Sequence, residues 1–219
     1  MANQSQKHGF VFENSVRSDV FNLSPDVNNT DIHDIPKHIN HFNNNENCSI
    51  KTTGSNVIYC GDILRFYDYK FDEKNTIIVI KYKQTLTQKI VTSVYEIDYN
   101  KSCHKLLFGN LTRDILEKYV SGVKSIPTNV KGQEAKKIYN YLFEKKRMSK
   151  TYNHQIQINP KVSRTQSRVQ CSISRFEKTL KKFITYKSRA HSPNILRDKQ
   201  IVYMIESPKR SRKSKIPIS

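Results

Sequence analysis

Apolar residues recur at i, i+4 and i+8 near the start of the chain: in KHGFVFENSVRSDVF (7–21), Phe12, Val16 and Val20 form a stripe with Phe21 beside it. That spacing predicts a helix, with Glu13 and Arg17 one turn apart on an adjoining face. From 22 to 47 the periodicity vanishes into Asn, Asp, His and Pro, which predicts a long polar loop. Three strand-like segments follow: NVIYCGDILRFYDY (56–69), TIIVIKYKQ (76–84) and KIVTSVYEIDY (89–99). Turns this short allow only antiparallel neighbours, so a three-stranded meander is expected.

Helical spacing returns in LTRDILEKYVSGVK (111–124), with Thr112 as its cap, and in GQEAKKIYNYLFEKKR (132–147); Pro127 separates the two. Polar alternation on either side of SRTQ predicts a hairpin over 155–174. SRFEKTLKKFITYK (174–187) reads as a basic amphipathic helix with Phe176, Leu180, Phe183 and Ile184 inward. Residues 191–219 read as a basic tail without a fold of its own. The order predicts one α/β (α+β) domain over 1–190, a central mixed sheet built on an antiparallel meander and flanked by helices.

Charge narrows the function. Lys and Arg number 38 against 19 Asp and Glu, a formal net charge of +19 on 219 residues. Such an excess points to a polyanionic partner, nucleic acid first. An anionic membrane surface comes second, but no basic helix of the interfacial type stands out. Cys48, Cys60, Cys103 and Cys171 form no CxxC pair, which argues against a zinc ribbon and for reduced thiols inside a cell. MANQSQKHGF lacks an apolar signal core and no run approaches the ~18 apolar residues of a membrane span, so an intracellular, unexported protein is expected.

Asp62 is the first chemical candidate. In an apolar strand a carboxylate is costly unless paired or metal-bound, and the next strand ends Lys81-Tyr82-Lys83, with both lysines on one face. A strand-borne carboxylate opposite a strand-borne lysine suits Mg²⁺-assisted phosphodiester hydrolysis, the carboxylate holding the ion and the ammonium stabilising charge near the attacking water. The same residues also suit a cross-strand salt bridge on a solvated edge. Glu13 could aim inward beside the aromatic stripe or pair with Arg17. His33, His38 and His41, with Asp31 and Asp34, lack the order of an HNH-type centre and read as solvated loop residues. No phosphate-binding GxxxxGK[ST] and no acyl-transfer GxSxG occurs.

GFxFE on a helix, GD on a strand and an apolar strand ending in Tyr-Lys together resemble the PD-(D/E)XK nuclease superfamily of type II restriction endonucleases. The stretch INPKV…QSRVQCSI…FEKTL is similar to restriction enzymes of large DNA viruses with AT-rich genomes. The resemblance implies a restriction-endonuclease-like nuclease domain in which Glu13 is the helix acid, Asp62 the strand aspartate and Lys83 the terminal lysine, with Glu13 and Asp62 holding Mg²⁺. It implies double-stranded DNA as substrate, a homodimer on a palindromic site and a cognate DNA methyltransferase as partner. Lys81 departs from the pattern, which asks for Glu, Asp or Gln. A cation ~5 Å from a divalent ion costs several kcal/mol even at an effective dielectric of about 20. Three readings stand: an inactive member; another residue (Gln84, Glu96 or Asp98) in that place; or Lys81 turned outward.

DNA phosphates would be met by Lys178, Lys181, Lys182 and Lys187, by Lys131 and by the C-terminal Lys/Arg run. The hairpin offers Lys161, Arg164, Gln166, Arg168 and Gln170 for base edges, and the Asn-rich stretch 40–47 could add to them. The alternatives are a non-catalytic basic DNA-binding protein and a structure-specific DNA repair nuclease.

Overall fold

The computed structural model describes residues 4–25, 32–128, 132–162 and 167–206. In chain order the main elements are α1 (Gln4–Ser15), continued by a π-helical turn (Val16–Val20), β1 (Glu46–Thr53), β2 (Val57–Asp62), α2 (Ile63–Tyr67), β3 (Lys74–Gln84) and β4 (Gln88–Asp98). They are followed by α3 (Lys101–Phe108), α4 (Arg113–Lys124), α5 (Gln133–Tyr152), β5 (Ile156–Val162), β6 (Ser167–Ser174) and α6 (Phe176–Thr179). β7 (Ile184–Lys187), β8 (Ile195–Leu196), β9 (Lys199–Gln200) and β10 (Met204–Glu206) complete the described chain.

The fold is a single mixed α/β domain. Its main sheet runs β1-β3-β4, with β1 parallel and β4 antiparallel to β3. β7 and β10 share the far edge of β4, both antiparallel to it. β2, β6 and β5 form a second, antiparallel sheet. The β-branched run of β3 is buried on both faces, as expected for a central strand covered on each side. On one face Ile77, Val79, Tyr95 and Ile97 pack against the second sheet and α2–α4. On the other, Ile78, Ile80, Ile50 and Val94 meet Phe12, Val16, Val20 and Phe21 and the C-terminal Leu196, Ile201 and Ile205. The stripe predicted at 12, 16 and 20 is therefore the inner face of α1 and its π turn, closed by the Phe21 N–H donating to the Val16 carbonyl at 3.2 Å. Thr112 caps α4 through the Ile115 amide.

Five expectations need correction. The meander holds for β3 and β4 only: β2 pairs with β6, and β3 takes β1 as its other neighbour. The segment 56–69 is not one strand, because Gly61 (φ +82°) bends it and α2 begins at Ile63. The polar stretch 22–47 is partly built: Ile35 is buried and forms an antiparallel bridge with Cys48, and β1 starts at Glu46. The basic helix expected over 174–187 is a single turn at 176–179, a 3₁₀ turn and then β7. Here the β-branched Ile184 and Thr185 and aromatic Tyr186 favour pairing with β4. Residues 191–206 likewise fold back to supply β8–β10, while 207–219 lie outside the described residues. None of the described helices is long and apolar enough to cross a membrane.

Candidate active site

Asp62 and Lys81 do not meet. Asp62 ends β2 and caps α2, its Oδ1 accepting from the Leu64 and Arg65 amides at 3.0 and 3.1 Å. Lys81 donates to Asn56 Oδ1 at 2.7 Å and to Glu177 Oε1 at 2.5 Å. Asn56 stands before the opposite end of β2, and at ~3.3 Å per residue the strand separates it from Asp62 by roughly 15–20 Å. The Lys81 ammonium, with Lys187 further off, holds the Glu177 carboxyl below its ordinary range. Lys83 is exposed, and the intervening Tyr82 stacks on Phe12 from the other face of the sheet. Lys81 therefore lies in an ion pair between β3 and α6, outside any carboxylate cluster of the described residues.

A different carboxylate and lysine do converge. The Ile35–Cys48 bridge sets the segment around Asp34 antiparallel to β1, with mutual backbone bonds of 3.0 and 2.8 Å. Period-2 alternation then sorts the side chains: Ile35, Cys48 and Ile50 enter the core against α1, whereas Asp34, Ser49 and Lys51 take the other side. Asp34 Oδ2 accepts from the Ile50 amide at 2.5 Å and from Lys51 Nζ at 3.3 Å. Lys51 also donates to the Ile50 carbonyl at 3.0 Å. Behind the pair, Arg17 is buried and donates to the Asp34 and Ser24 carbonyls, which fixes the loop to the π turn.

The neighbours form a polar floor. Ser49 Oγ and Tyr69 OH are 2.8 Å apart, and His33 Nδ1 lies 3.4 Å from Ser49 Oγ with its ring edge-on to Tyr69. Burial lowers the His33 pKa despite nearby Asp34, so the imidazole is neutral at pH 7. Burial raises the Tyr69 pKa, which keeps the phenol protonated. For Lys51, burial acts most strongly and against the ammonium, but Asp34, by charge and hydrogen bond, together with Tyr69 and Cys60 prevails and the pKa lies above its ordinary value. Asp34 and Lys51 keep 23% and 21% of their side chains exposed, so both reach solvent while being held in place. They open into a cleft of about 310 Å³, also lined by Tyr59, Gly61, Asp62 and Arg65. A Cβ on Gly61 would meet nothing within 4 Å, so the backbone there faces open space.

Among the described residues no three His, Cys, Asp or Glu side chains group as metal ligands. The carboxylates at the cleft are Asp34, which Lys51 Nζ also engages, and Asp62 at the rim. Mg²⁺ is a hard ion that keeps several waters and takes one or two carboxylates, which is the donor set these two offer. Glu13 is half-buried on α1 and does not line the cleft. Of the sequence-predicted residues, Asp62 lies at this cleft; Lys81 and Lys83 belong elsewhere. Asp34 falls in the 22–47 stretch that reads as polar loop, and Lys51 in the unassigned residues between that stretch and the strand expected from 56. The signal was present: Asn-Cys-Ser-Ile-Lys (47–51) alternates with period 2.

Lys161, Arg168 and Gln170 stand on β5 and β6 as expected, and Lys178, Lys181 and Lys182 are exposed around α6. Arg164, Gln166 and Lys131 lie outside the described residues. The chain matches no family model, no curated protein and no solved structure.

Proposed function

We propose that the protein is a Mg²⁺-dependent endonuclease for double-stranded DNA whose centre is the Asp34–Lys51 pair. The observation that carries this reading is a carboxylate and an ammonium 3.3 Å apart, set beside each other by the Ile35–Cys48 bridge and opening into a cleft of a chain with net charge +19. The PD-(D/E)XK pattern then falls on other positions: Glu13 on the helix, Asp34 in the segment bridged to β1 and Ser49-Ile50-Lys51 on β1. Ser49 departs from that pattern, which has an acid or Gln there, and leaves Asp34 as the main carboxylate.

Asp34 would hold the ion, and Asp62 could reach it through water. When bound, the ion supplies polarisation of the phosphoryl oxygen and a lowered pKa of its water. Lys51 sets a fixed positive charge where negative charge develops on the phosphate, and Asp34 holds that ammonium in place. The Ser49–Tyr69–His33 floor stays neutral and gives hydrogen bonds without competing charge.

Plasmid DNA incubated with Mg²⁺ is the test. The parent should linearise and fragment it, Asp34→Ala and Lys51→Ala should not, and Lys81→Ala should cut like the parent. Duplex binding without cutting by the parent would favour a non-catalytic DNA-binding protein. Cutting confined to flap or four-way junction substrates would favour a repair nuclease.

A further inference from the structure

We infer that the outer face of the β2–β6–β5 sheet is the surface through which the protein reads base edges of duplex DNA, adenine foremost. This rests on the nuclease reading and names its specificity determinant. Val169, Cys171 and Ile173 of β6 and Ile156 and Ile158 of β5 point into the core. The intervening residues therefore share the opposite face. Cross-strand register arranges them in rows: Tyr59–Ser172–Gln157, then Asp62–Gln170–Asn159, then Arg168–Lys161.

Three observations single out this face. First, its amides are fixed. Asn159 Nδ2 donates to Ser172 Oγ at 2.9 Å, and Ser172 Oγ donates to Gln157 Oε1 at 3.1 Å. Ser172 is itself 1% exposed, so both carboxamides are tied to a buried anchor. That leaves Asn159 Oδ1 as an acceptor and Gln157 Nε2 as a donor, neither engaged by a described residue. An acceptor beside a donor matches the N6/N7 edge of adenine in the major groove. Second, Lys161 and Arg168 face each other directly, and no described acid pairs with either. Like charges across a strand pair are unfavourable alone and become favourable against phosphate or a guanine edge. Third, β2 stops at Asp62 opposite Gln170, whereas β5 and β6 continue to the Val162–Ser167 pair. The extension is a two-stranded ribbon, which the major groove admits. Tyr59, 64% exposed, lies on this face and lines the cleft, so the reading surface and the Asp34–Lys51 centre are contiguous.

The test is selection of bound duplexes from a random-sequence pool without divalent metal, on the full chain. The parent should enrich a defined sequence. The Gln157→Ala/Asn159→Ala pair should lose about 10- to 100-fold of the discrimination at adenine positions, and Arg168→Ala should relax a neighbouring position. Lys182→Ala, on the basic segment, should weaken all sequences alike and reduce the salt slope by about 1. Thermal unfolding confirms that the variants fold, and Gln157→Glu, which keeps side-chain length but reverses donor to acceptor, should shift the preference. Enrichment of the same sequence by the parent and by the amide and Arg168 variants would overturn the assignment, as would no enrichment by the parent. Cleavage is not read in this assay, so a parent that selects a sequence yet never cuts with Mg²⁺ sinks the nuclease reading alone.

Discussion

Two stretches of this chain carry an aspartate followed some twenty residues later by lysine: Asp34 to Lys51, and Asp62 to Lys81 and Lys83. In the first, a single antiparallel bridge at Ile35–Cys48 brings carboxylate and ammonium to 3.3 Å. In the second, the strands leave for different sheets: the aspartate becomes a helix cap and Lys81 finds Glu177, almost a hundred residues away in sequence. Spacing along the chain is the same kind of evidence in both. Strand partnership decides which pair can act on a substrate.

The sharpest way to break that contrast is to remove each lysine. Lys51→Met should lower Mg²⁺-dependent plasmid cleavage by about 10²–10³-fold, the scale of removing a preorganised charge donor at a transition state. Lys81→Met should change it by less than about twofold. Equal losses in single-turnover assays would abolish the distinction between the two regions.

The next effect separates a structural acid on β1 from the chemical acid in the segment bridged to it. Glu46 begins β1 and is 1% exposed, held by Lys74 at 2.8 Å, Thr76 at 2.6 Å and Arg197 at 2.9 Å. Arg197 sits in the turn between β8 and β9 at φ +49° and lies 5.2 Å from the rings of both Phe21 and Phe42 while also pairing with Glu96. Burial raises the Glu46 pKa, but these donors prevail and hold it at about 2. The folded pKa is depressed, so the stabilisation is complete above the ordinary carboxyl pKa and disappears as pH falls through about 2. Glu46→Gln should cost about 3–5 kcal/mol in urea unfolding at pH 7, with a flatter acid limb than the parent. The variant that remains folded should cut with the parent's sequence preference.

Much of the fold was legible because its signals are local. The stripe 12-16-20, the β3–β4 pair, Thr112 capping α4 and the alternating 155–174 hairpin each rest on periodicity or a cap within one turn. The sheet partners were not legible: β1 is parallel to β3 across β2 and α2, and nothing local in Thr53 or Lys74 specifies that. The centre was missed for the same reason, since Asp34 acquires its meaning only from a bridge to Cys48. Asp62 was misread because an aspartate after apolar residues looks like a buried acid, whereas here it accepts two amides at a helix start.

Lys81→Glu gives a smaller effect. It replaces a pair with Glu177 by a like charge on half-exposed side chains, so stability should fall by about 1 kcal/mol. Cleavage should not rise. A gain in Mg²⁺-dependent cutting would return the centre to the second region and remove Asp34 from it.

Asp62 gives the finest test, because it belongs to both comparisons: a cap of α2 and a wall of the cleft. Asp62→Ala removes cap and charge together and should cost about 1 kcal/mol. Asp62→Ser keeps a cap acceptor and removes only the carboxylate, so stability should return to within a few tenths of a kcal/mol of the parent. If the aspartate serves the helix alone, the Ser variant should also cut within about twofold of the parent at saturating Mg²⁺. A Ser variant as stable as the parent that needs about tenfold more Mg²⁺ for half-maximal cutting would instead make the Asp62 carboxylate part of the metal site. The cleft would then draw one acid from each region, joined across the ends of β1 and β2.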